Sequence, residues 1–123
     1  MRQNIRYIVV HSTQTLPTEL YQSLAFHYII HRNGKVVRGK NLCASEGCLQ
    51  IAYLGGIDKD RKTSDTRTPE QIESLFNELV KFSEKYPEAK IVIADVLFGK
   101  ENLLGFDLKE WMKNFIPTSL NRA

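Results

Sequence analysis

Residues 51–71 read IAYLGGIDKDRKTSDTRTPEQ, and the passage from one kind of structure to another within them decides the fold. The first residues continue CLQIAYL (48–54), an apolar run of strand length with no polar face, as a strand covered on both sides requires. A glycine pair and a charged stretch then make a loop. The next residues start a helix: Thr68 is a cap, Pro69 suits the first helical position, and Gln71 completes a capping box. Beyond it, Ile72, Leu75, Phe76, Leu79 and Val80 fall on one face at helical spacing, and Pro87 ends the run. KIVIADV (90–96) follows as a further strand. Strand, helix and strand in succession point to an α/β protein.

Working outward, IRYIVV (5–10) has apolar side chains on both alternating faces and reads as a central strand. TLPTELYQSLA (15–25) holds at most a short helix, with Pro17 near its start. In FHYIIHRNGKVVRG (26–39), two β-rich runs flank Asn33-Gly34, a pair that favours a tight primed hairpin turn. FDLKEWMKNF (106–115) is a terminal helix with Asp107 as N-cap and Trp111 on its core side. The expected architecture is a mixed central β-sheet flanked by helices, in one domain spanning residues 1–123.

Composition narrows the function classes. The chain has 42% hydrophobic and 25% charged residues and a net charge of +3, the values of an ordinary globular protein. Arg32, Lys35, Arg38 and Lys40 cluster on the hairpin, where a solvated face explains them better than a nucleic-acid partner. No apolar run is long enough to span a membrane. The opening MRQNIRYIVVHS reads as a first strand rather than a signal peptide, so a cytoplasmic location is expected, with a domain cut from a longer exported protein as the alternative. Cys43 and Cys48 lack the spacing and the second pair of a zinc motif, and read as reduced thiols by default, with a small loop disulfide as the alternative in an oxidising compartment.

Taken in order, HST after the first strand, FHYIIHRNGKVVRG, IAYLGGIDKDRKTSDTRTPEQ and FDLKEW resemble the zinc-dependent N-acetylmuramoyl-L-alanine amidases, a family that includes phage-type lysozyme amidases and is similar to the peptidoglycan recognition proteins. The resemblance implies a mixed sheet with a groove on one face. It further implies a zinc ion held by two histidines and a cysteine, and a tyrosine and a lysine that polarise the substrate. The reaction implied is cleavage of the amide between muramic acid and the first alanine of the stem peptide. Three protein ligands leave a fourth position for water, whose pKa the metal lowers toward neutrality.

Compared position by position, the resemblance keeps one of these groups. His11 stands where the first metal histidine falls. Phe26 replaces the tyrosine, Ala94 the second histidine, Glu101 the lysine and Leu103 the cysteine. The helical segment after the first histidine and the polar loop after the hairpin, here GKNLCASEGCLQ, are both shorter than in the family. Strand alternation puts Phe26, Tyr28 and Ile30 on one side and His27, Ile29 and His31 on the other. The groove expected from this comparison is lined by His11, Phe26, Tyr28, Asp95, Leu103 and Leu104. Three readings follow. The chain is a non-catalytic binder of peptidoglycan fragments, or a protein-interaction module using an exposed apolar patch around Phe26, Leu103 and Leu104. The third is an active zinc amidase with substituted ligands, for which Asp95, Glu101, His27, His31, Cys43 and Cys48 are the candidates. A bound zinc is not expected.

Overall fold

The computed structural model describes residues 5–16, 26–39, 47–93 and 104–115. The described strands are β1 (Tyr7–Ser12), β2 (Tyr28–Ile30), β3 (Val36–Arg38), β4 (Cys48–Tyr53) and β5 (Lys90–Ile93). They form one sheet in the order β3-β2-β4-β1-β5. β4 runs parallel to both β1 and β2, β5 runs parallel to β1, and the β2–β3 pair is antiparallel. The sheet is mixed, as the sequence pattern predicts, and β1 lies in its interior. Ile8 and Val9 are wholly buried and Val10 nearly so, which accounts for a strand apolar on both faces.

Helix α1 (Pro69–Lys85) and helix α2 (Leu108–Phe115) complete the described elements. Leu75, Leu79 and Phe82 of α1 join Ile8, Val10, Ile30, Ile51 and Tyr53 of the sheet in one buried cluster. Leu108 and Trp111 of α2 belong to it too, so Trp111 is a core residue as expected.

The capping box at the start of α1 forms in full. The Gln71 N–H donates to Thr68 Oγ1 (3.1 Å), and the Thr68 N–H donates to Gln71 Oε1 (2.9 Å). Gln71 does more than cap. Its side chain is fully buried, and Nε2 donates to the carbonyl oxygens of Ile30 (3.1 Å) and Leu54 (3.0 Å). One side chain thus closes the helix N-terminus and ties it to the carboxyl ends of β2 and β4. At α2 the Glu110 N–H donates to Asp107 Oδ1 (3.1 Å), confirming the expected cap.

The hairpin differs from expectation at its tip. The Gly34 N–H donates to the His31 carbonyl and the His31 N–H to the Lys35 carbonyl, so three residues rather than two close the loop. Only Gly34 (φ 88°) has positive φ there, with Asn33 Oδ1 accepting from the Lys35 N–H. The reason is tertiary. The tip seats on α1, where Ser74 Oγ donates to the Gly34 carbonyl and Thr68 Oγ1 to that of Arg32. Most of TLPTELYQSLA and the end of KIVIADV lie outside the described residues.

Candidate functional site at the carboxyl ends of the strands

In open sheets with parallel strands, ligands favour the carboxyl ends of the strands. Here those ends belong to β1, β2, β4 and β5. Beyond β1 the chain keeps company with the glycine pair. The Thr13 N–H donates to the Tyr53 carbonyl, the Thr15 N–H to that of Gly55, and Thr13 Oγ1 accepts from the Gly55 N–H (2.9 Å). Gly55 and Gly56 are buried, and a side chain on either would collide with Thr66 or Ser12. The glycines of this otherwise exposed loop are therefore there for packing.

His11 pairs across the sheet with Ala52, which pairs on its other side with Ile29. Against them lies Phe26, 9% exposed and clustered with Ile29 and Ala52. Its ring centroid stands 4.9 Å from that of His11, the planes tilted by 51°. Simple alternation predicts otherwise, placing Phe26 with Tyr28 and Ile30. Regular β2 geometry begins only at Tyr28, and a bend at His27 carries Phe26 to the Ile29 face. Tyr28 belongs to the opposite face, its ring 5.2 Å from Phe82 of α1, so it does not line a groove with His11.

His27 lies at that bend. It is 5% exposed, and its Nδ1 accepts from the Gln50 N–H at 2.9 Å while its own N–H donates to the Gln50 carbonyl at 2.9 Å. Leu104, expected at the groove, is 2% exposed within the main core. With Phe26 also buried, these two residues do not form the exposed apolar patch anticipated for a protein partner. Ala94, Asp95, Glu101, Leu103 and Cys43 lie outside the described residues. The pairing Val10↔Ile93 brings the end of β5 level with the residue before His11. Among the described residues no three His, Cys, Asp or Glu side chains gather to hold a metal ion.

A polar cluster that the sequence did not announce lies beside this end of β4. The wholly buried Tyr53 hydroxyl donates to the Leu104 carbonyl. Burial pushes the Tyr53 pKa well above the usual tyrosine range, with Asp65 acting the same way and Arg67 opposing. The Arg67 guanidinium, its side chain 5% exposed, forks onto Asp65 (2.9 and 3.0 Å) and stacks 3.5 Å over Phe106 and 4.9 Å from Trp111. A lone arginine in a polar loop gives no sequence signal of burial. Only the aromatic residues of FDLKEW could have hinted at a cation-binding face.

Comparison with solved structures settles what this architecture is. The endolysin N-acetylmuramoyl-L-alanine amidase LysCS from Clostridium intestinale superimposes with a TM-score of 0.70 at 19% identity, covering 90% of this chain and 83% of its own. The chain has the amidase fold. The Ph2119 endolysin of a Thermus scotoductus bacteriophage is similar at TM-score 0.69 and 16% identity, over 95% of this chain and 88% of that one. AmpD is similar at 0.65 and 15%, over 94% and 86%. No protein-family model and no curated protein matches the sequence. No described helix is long and apolar enough to cross a membrane.

Proposed function

We propose that this amidase-fold chain binds peptidoglycan fragments without hydrolysing them. The observation that carries the second half is the Phe26 ring packed on His11. A catalytic zinc needs three protein donors and an open fourth position. His11 is a metal ligand by residue type, but the ring packed on it is a hydrocarbon, Phe26, buried with Ile29 and Ala52. At the other positions of comparison, alanine at 94 and leucine at 103 carry no donor atom. Among the described residues and at these compared positions, the side chains do not fit a catalytic zinc.

The first half rests on fold. The similar chains are named as muramoyl-alanine amidases and endolysins, and their fold is kept here over nine-tenths of the chain. A protein partner is less well supported, because Phe26 and Leu104 are buried.

Metal analysis of protein purified without chelators, an assay on muramoyl peptides and a calorimetric titration with the same peptides test both halves. The expected result is no stoichiometric zinc, no amide cleavage and saturable binding. Zinc at one per chain with cleavage would establish the substituted-ligand amidase instead. Absence of heat at millimolar peptide would remove the binding half.

A further inference from the structure

We infer that His27 is a positioning residue, whose imidazole stands in for a main-chain acceptor in the β2–β4 ladder and so holds the bend that lays Phe26 against His11. Gln50 has both its main-chain polar groups taken by this one residue. Its carbonyl accepts from the His27 N–H, and its N–H donates to His27 Nδ1, each at 2.9 Å. On the other side the Gly39 N–H donates to the His27 carbonyl at 2.7 Å. Gly39 comes so close that a Cβ there would collide with the Phe26 carbonyl oxygen. Residues 26–27 are thereby fixed between β4 and the end of the hairpin, out of line with the regular strand. The side chain of Phe26 is left on the face of Ile29 and Ala52, over His11.

The arrangement also fixes the ring's tautomer. A nitrogen that accepts carries no hydrogen, so the hydrogen of the neutral ring sits on Nε2. Nε2 is buried with no hydrogen-bond partner. A buried donor left unmade is unfavourable. Sheet stability alone does not account for histidine here, whereas placement of Phe26 does. The geometry of the corner stands by itself, and only its effect on ligand rests on the fragment-binding reading.

Two measurements test this on the intact chain. Long-range proton–nitrogen spectra of the ligand-free protein read the tautomer and the His11 ring shifts. The expected spectrum shows His27 as the Nε2–H form and His11 protons displaced by the Phe26 ring current, a displacement abolished in Phe26→Leu. His27→Ala and Gly39→Ala lose that displacement, and His27→Asn, which keeps an acceptor at the same branch point, retains it. An Nδ1–H tautomer in the unaltered protein overturns the inference without any variant. So does an unchanged His11 shift in folded His27→Ala, or a lost one in folded His27→Asn. Titration with N-acetylmuramoyl-L-alanyl-D-isoglutamine then gives a loss of roughly fivefold in affinity for His27→Ala, the size of one hydrogen bond, with recovery in His27→Asn. If the unaltered protein binds none of this ligand but the shifts behave as expected, fragment binding fails and the positioning role stands.

Discussion

Phe26 and His11 show how far single residues could be read. A histidine at the end of an apolar run is legible as a strand-end residue, because the run itself marks the strand. The face taken by Phe26 is not legible, because alternation holds only where the chain stays extended, and it bends at His27. Tyr53 carries a consequence at the same scale. Its buried hydroxyl keeps its proton to higher pH than an unfolded tyrosine, which titrates near 10. The folded pKa lies above the unfolded one, so the stability this group contributes is whole below about pH 10 and declines as pH rises past it. The slope reaches at most about 1.4 kcal/mol per pH unit, since only the unfolded chain has released that proton. Thermal unfolding followed between about pH 9 and 11 is expected to fall more steeply for the unaltered protein than for Tyr53→Phe. Equal slopes would show that Tyr53 ionises alike in both states.

Elements were legible in proportion to how local their signals are. The expected helix over 68–86 and the observed α1 (Pro69–Lys85) agree because cap, face and terminating proline all lie in the same window. The hairpin was recognised but its turn was not, since Ser74 and Thr68 of a distant segment bond to its tip. Gln71 belongs to both categories. Its capping role is written in the sequence, while its bonds to Ile30 and Leu54 exist only once the sheet is assembled. Gln71→Ala is expected to lower stability by about 3 kcal/mol, through two buried carbonyls left without donors and a cap lost. Urea unfolding measures it. A loss below about 1 kcal/mol, the net worth of a single hydrogen bond, would mean that water reaches those carbonyls.

Across the whole molecule, the loop at 55–67 joins the sheet to α2. Arg67 makes that junction by stacking on Phe106 and Trp111 while forking onto Asp65. A lysine has neither the planar face nor the fork. Arg67→Lys is therefore expected to destabilise by about 2 kcal/mol and to recover little of what Arg67→Ala loses, comparing the two by denaturant midpoints. Near-equality of Arg67→Lys and the unaltered protein would mean that charge alone suffices. The sequence by itself determined the described elements, their order, the mixed sheet and the place of His11 near the end of β1, because period and caps act over a few neighbouring residues. The amidase fold was also legible, from motifs that stand in the order of that family although the segments between them differ in length. Only the tertiary structure decided that β4 lies between β1 and β2, that Phe26 crosses to His11 while Tyr28 goes under α1, and that Arg67 is buried. Each of these depends on partners far apart in the chain, whose pairing is a property of the assembled sheet and not of any short stretch.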